Sequence, residues 1–193
     1  MQEEHLEKQF KEFTQIELFS LSELVDFYLS KDPLLTKKYD KKFFTVLTAY
    51  SFIQTNLNIL EHGMPSIYIS NVLDRFATRH YTQGITYFVD VAEELDSLIT
   101  WTEPKLLEFC DNFIFFRGLY PEAFNKRITT PSFYERMAKN SFSLLRRKPE
   151  DIYSAMSNNL ERYIHALNYM SQELLEGKYL ESNHSLSRTP FLT

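Results

Sequence analysis
Residues 102–147, TEPKLLEFCDNFIFFRGLYPEAFNKRITTPSFYERMAKNSFSLLRR, decide the fold class. They read as two helices joined by a turn-rich link. Thr102 suits an N-cap, with Glu103 and Pro104 in the first turn. Gly118 suits the position just past the helix end, with Pro121 beyond it. At 100° per residue, Lys105, Glu108, Asp111 and Asn112 share one polar arc. Leu106, Leu107, Phe109, Cys110, Phe113, Ile114 and Phe116 cover the rest. So wide an apolar surface predicts a helix packed on several sides, near the centre of a bundle. Phe115 lies inside the polar arc, which predicts partial cover there too. Arg117 points to the apolar side in the last turn, where it can leave the core and meet the C-terminal carbonyls. Thr130 and Pro131 start the second helix, whose buried face is Tyr134, Met137, Ala138, Ser141, Phe142 and Leu145.

The order FCDNFIFFRGLYPE followed by SFYERMAKNSFSLL resembles a pattern in bacterial proteins of unknown function. There an Asp-containing apolar helix ends in a Gly and Pro turn, and a helix with two spaced aromatics follows. The matching positions are Asp111, Phe115, Phe116, Gly118, Pro121, Tyr134 and Phe142. The chain departs from the pattern at Lys139, Asn140 and Phe142, where such proteins carry a small residue and a second Tyr. The resemblance covers about a quarter of the chain. It implies a helical bacterial protein and brings no activity or site residue with it.

Composition sets the outer limits. The chain has 193 residues, 44% of them hydrophobic, with 17 Phe and 12 Tyr, enough for one sizeable domain with an aromatic core. Only 4 Gly and 7 Pro favour long helices over a turn-rich β-sandwich. A net charge of −5 argues against a general nucleic-acid binder. The single Cys110 excludes an internal disulfide framework and reads as a small core residue. The start, MQEEHLEKQFKEF, lacks the basic region and apolar run of a signal peptide, and no run is long enough to span a bilayer. The chain is therefore expected to be soluble and cytoplasmic.

Outward from the central stretch, helical spacing recurs. Leu6, Phe10 and Phe13 predict a short amphipathic helix. Ser20 to Glu23 is a capping box opening a helix that Asp32–Pro33 ends. The basic KKYDKK cluster (37–42) reads as a solvated helix start, with a phosphate or acidic-partner site as the alternative. A long helix is expected from Asp40 to Glu61, burying Phe43, Leu47, Tyr50, Leu57 and Leu60. Gly63 and Pro65 should stop it, with a positive His62 in its last turn. Pro65 should start the next helix, with Tyr68, Ile69, Val72, Leu73 and Phe76 facing in. Residues 66–70 and 84–91 carry strand-like content, but the flanking periods favour helix. Ile85, Phe88, Ala92, Leu95 and Ile99 set the period of the second of these. Asp90, Glu93, Glu94 and Asp96 form a solvated acidic face. Pro149, Glu150 and Asp151 begin the last helix. Its seam, Ile152, Met156, Leu160, Tyr163, Leu167, Met170 and Leu174, suits packing inside one chain or between two. Gly177 is the expected stop.

The expected architecture is an all-α, single-domain bundle of about seven helices over residues 1–180, with a polar, mobile tail at 181–193. Glu161 and His165 stand one turn apart, but opposite the seam, so they read as solvated rather than as metal ligands. His-Glu-x-x-His, CxxC, a phosphate loop and G-x-S-x-G are missing. No metal and no cofactor is expected. The preferred function is non-enzymatic protein binding, as an adaptor, regulator or assembly component. Glu161, His165 and Tyr169 are its candidate partner surface, and self-association through the last helix or the aromatic hairpin is its specific form. The alternative is a small-molecule-binding bundle or enzyme whose aromatic-lined pocket holds Asp111, Arg117 and Tyr134.

Overall fold
A computed structural model describes residues 43–78, 84–97, 101–128, 130–148 and 151–176. The two helices expected before residue 32, the basic cluster at 37–42, Gly177 and the tail lie outside these residues. Seven α-helices and no strand occur among them: α1 Phe43–Gln54, α2 Ile59–Thr78, α3 Gly84–Ser97, α4 Glu103–Leu119, α5 Pro121–Arg127, α6 Pro131–Leu145 and α7 Ile152–Tyr169. A π-helical stretch, Met170–Glu176, continues α7. The two segments with strand-like content, 66–70 and 84–91, are both helical. No helix among the described residues is long and apolar enough to cross a membrane.

The helix α4 is the centre, as its apolar breadth requires. It packs against α2, α3, α5, α6 and α7. Phe109, Cys110, Phe113 and Ile114 are fully buried. Phe88 of α3 sits in an aromatic cluster with Phe109 and Phe124 at 5.5 Å and Tyr134 at 5.3 Å between ring centres. Each such buried side chain contributes about 1.5–3 kcal/mol over an exposed one. Phe124 anchors the seven-residue helix α5: it is fully buried against Phe88 and Phe113, and Ile128 at the helix end is buried too. The predicted face of α6 is buried at Met137, Ala138, Ser141, Phe142 and Leu145, with Tyr134 half-buried.

Two expected helix ends are wrong, for separate reasons. The long 40–61 helix breaks at 55–58 instead of at Gly63 and Pro65. Asn56 takes φ = 60°, a left-handed conformation that Asn tolerates well. Asn58 then opens α2: its Oδ1 accepts from the Leu60 N–H at 3.0 Å, and its Nδ2 lies 3.5 Å from Glu61. Gly63 and Pro65 are inside α2, where Pro65 forgoes one backbone bond. Leu60 faces solvent at 75% exposure, contrary to its expected burial.

Gly118 is the second case. It lies within α4, buried, and the helix runs on to Leu119. The carbonyls at that end are met by α7 and the π-helical stretch that continues it: Asn168 Nδ2 donates to Arg117 O (3.0 Å) and Gly118 O (2.8 Å), and Ser171 Oγ to Leu119 O (2.7 Å). Arg117 therefore does not turn to its own helix end. It pairs with Glu135 and lies over the Phe124 ring.

The seam of α7 from Ile152 to Met170 is spent inside the chain; the Leu174 side chain lies outside the described residues. Met156, Leu160, Tyr163, Leu167 and Met170 are at most 2% exposed, and Ile152 is 9% exposed. A homodimer through these side chains has no free surface to use. Asp151 caps α7, accepting from Ser154 N at 2.9 Å, and it also takes the N–H groups of Arg147 and Lys148.

Candidate functional site
Asp111 is not in solvent with Lys105 and Glu108, although the helical wheel groups them. It is 7% exposed, and the neighbouring Asn112 is 2% exposed. Asn112 Nδ2 donates to the Glu108 carbonyl at 2.7 Å. The Asp111 carboxylate accepts from the Tyr68 hydroxyl at 2.6 Å and from Arg75 Nη2 at 2.8 Å, both on α2. Burial raises the carboxyl above its ordinary range, while Arg75 and Tyr68 pull it back down. Burial and the Asp111 charge push the Tyr68 hydroxyl well up. Cys110 is fully buried, and its thiol is also pushed up by burial, so it has neither the access nor the thiolate a nucleophile needs. These groups lock α2 to α4.

A second polar region is an open cleft of about 200 Å³ where α4, α6 and α7 meet. Phe113, Leu160 and Ile164 make its apolar floor. Arg117 and Glu135 stand on one side, joined Nε to Oε1 at 3.1 Å. Lys139 and Glu161 form the other pair, and His165 and Asn168 complete the wall. The side chain of Arg117 is 19% exposed and that of Glu161 is 71% exposed, so the first pair is the deeper one.

Asp111, Arg117 and Tyr134 therefore do not converge. Asp111 belongs to the α2–α4 lock, Arg117 to the cleft, and Tyr134 to the aromatic cluster with Phe88, Phe124 and Phe133. Glu161 and His165 are exposed and line the cleft, while Tyr169 is half-buried and packed on the core. One residue of the pocket set and two of the surface set thus meet in a place that neither expectation named. Among the described residues no three His, Cys, Asp or Glu side chains are grouped as a metal would need.

Sequence reasoning missed Tyr68 and Arg75 as partners of Asp111, Glu135 and Lys139 as cleft walls, and the pair His62–Tyr163. His62 was expected as a cation at a helix C-terminus. It stands instead in the first turn of α2, 8% exposed, with Nδ1 2.9 Å from the Tyr163 hydroxyl. Burial and then the nearby Arg162 lower its pKa, against a smaller opposing effect of Glu61. The helix N-terminus also disfavours a positive ring. The unfolded chain therefore takes the proton more readily than the folded one. Stability is complete above the ordinary value of 6.5 and falls as pH drops below it. Urea midpoints between pH 7.5 and 5 should fall more steeply for the wild type than for His62→Asn. Equal slopes would remove His62 from the acid response.

No family model matches the chain, and no curated protein or solved structure matches it either.

Proposed function
We propose that this protein works by binding another protein, as an adaptor, regulator or assembly component, rather than by catalysis. The observation that carries this reading is an apolar and basic surface at one end of the bundle. Leu144, in the last turn of α6, is 61% exposed, and Trp101, before α4, is 37% exposed. Arg147 Nη2 bonds both Glu103 oxygens, at 3.0 and 2.9 Å, which brings the end of α6 to the start of α4. Arg146, Arg147 and Lys148 are all exposed there, on a chain whose net charge is −5. Large exposed apolar side chains cost nothing to leave in place when a partner covers them, and a basic rim selects a partner with an acidic one.

The test is affinity capture from source cells with the full chain and with Leu144→Glu. Leu144 is exposed, so its replacement should leave the melting temperature unchanged. A protein held by the wild type and lost by the variant supports the reading. A partner held equally by both refutes this end as the contact. Light scattering at high concentration decides whether that partner is a second copy of the chain.

A further inference from the structure
The cleft between α4, α6 and α7 holds more hydrogen-bonding capacity than the protein itself uses. Arg117 engages Glu135 through Nε, and its terminal nitrogens make no hydrogen bond among the described residues. Glu135 Oε2, the His165 ring nitrogens and Asn168 Oδ1 are likewise unengaged there, since Asn168 spends only its Nδ2, on backbone carbonyls. Water can serve the exposed groups. Arg117 is set apart by its placement: its side chain is 19% exposed and held between Glu135 and the Phe124 ring, 5.7 Å from the guanidinium carbon, while its terminal nitrogens still open on the cleft. A fixed guanidinium with its terminal edge unspent is suited to a bidentate carboxylate.

The rest of the lining defines what that carboxylate is attached to. Two cations, Arg117 and Lys139, are balanced by two carboxylates, Glu135 and Glu161, so a ligand with net charge is not favoured. Glu135 Oε2 stands beside the guanidinium and can accept from an ammonium group. The floor of Phe113, Leu160 and Ile164 is apolar. At ~30 Å³ per water, 200 Å³ is room for roughly seven waters, or a molecule of a similar number of heavy atoms. That is below the ~300–1,000 Å³ typical of sites for larger ligands. We propose that this cleft binds a free α-amino acid zwitterion with a short aliphatic side chain. The carboxylate lies on the Arg117 fork, the ammonium on Glu135, and the side chain on Phe113, Leu160 and Ile164. This site lies apart from the Leu144 end and stands or falls separately from the protein-binding reading.

The experiment is isothermal titration of the full chain with L-leucine, L-valine and L-alanine, followed by leucinamide and N-acetyl-leucine. Saturable binding is expected for at least one free amino acid, at least tenfold weaker for each capped form. Arg117→Lys keeps the charge but loses the fork, and should weaken binding at least tenfold with an unchanged far-UV spectrum. If that variant does not fold, Glu135→Gln, which keeps the side-chain shape but loses the charge facing the ammonium, gives the second reading and should also weaken binding at least tenfold. No saturable binding up to millimolar amino acid would overturn the proposal. Equal affinity for the capped forms would also do so, because the two charged contacts would then be idle.

Discussion

Replacing Asp111 with Ala should lower the unfolding free energy by about 2–3 kcal/mol, read as a shift of the urea midpoint at constant slope. The loss comes from what is left behind. Tyr68 is 2% exposed, and its hydroxyl would have no acceptor where Asp111 now takes its proton at 2.6 Å. Leaving a buried donor unpaired costs ~1–3 kcal/mol, more than the ~1 kcal/mol that an average hydrogen bond contributes. Loss of the Arg75 bond adds less, because that side chain is 46% exposed and water replaces the partner. Tyr68→Phe, which removes the donor instead, should cost only about 1 kcal/mol. The double variant should cost less than the two single effects together, since each disrupts the same contact.

The pH dependence at Asp111 has the opposite sign to that of an ordinary paired carboxylate. Burial outweighs Arg75 and Tyr68 and raises the folded pKa above 3.8. The folded state then binds the proton more readily than the unfolded one. Stability from this group is complete below the unfolded value of 3.8 and is lost as pH rises from there through the folded pKa. The Asp111→Asn variant lacks that titration. The advantage of wild type over Asp111→Asn should therefore shrink as pH rises from about 4. An advantage that grew with pH would mean that the Arg75 charge governs the site.

Some of this was legible in the residues and some was not, and the division is physical. The faces of α4, α6 and α7 follow from apolar spacing, because a 3.6-residue period is a property of one helix alone. Asp111 fell on the polar arc of that wheel for the same reason. Its partners Tyr68 and Arg75 lie 43 and 36 residues earlier, and nothing local registers α2 against α4. Arg117 was expected to serve its own helix end for want of the knowledge that Asn168 and Ser171 already do. The break at 55–58 did carry a local signal, Asn58 three residues before Glu61, but Gly63 and Pro65 are stronger punctuation and drew the boundary to themselves. His62 changed from a helix end to a helix start with that one misplaced boundary, and its preferred charge changed with it.

Gly118 is where a rule of punctuation gives way to packing, and the largest expected effect follows from it. A Cβ built on Gly118 would lie 2.6 Å from Leu167 Cδ1 and 2.9 Å from Leu167 Cβ. The Cδ1 contact could be relieved by a rotamer, but the Cβ contact is fixed by the α7 backbone. Ala would therefore push α7 away from α4 and stretch the bonds from Asn168 and Ser171 to the end of α4. Gly118→Ala should destabilise by roughly 1–3 kcal/mol through overpacking. This outweighs the ~0.5–1 kcal/mol by which Ala is otherwise favoured over Gly in a helix. Leu167→Ala alone should cost about 2–5 kcal/mol, since a fully buried side chain is lost from the floor between two helices. Carried together, the two changes should not add. Leu167→Ala removes the Cδ1 and Cγ contacts at 2.6 and 3.3 Å but keeps the Cβ at 2.9 Å, so it relieves only part of the overpacking. Gly118→Ala should then cost less in the Leu167→Ala background than in the wild type, without becoming stabilising. Thermal or urea unfolding of the four proteins measures the coupling directly. A Gly118→Ala effect of the same size in both backgrounds would mean that the Leu167 Cγ and Cδ1 atoms are not what the missing side chain at 118 makes room for.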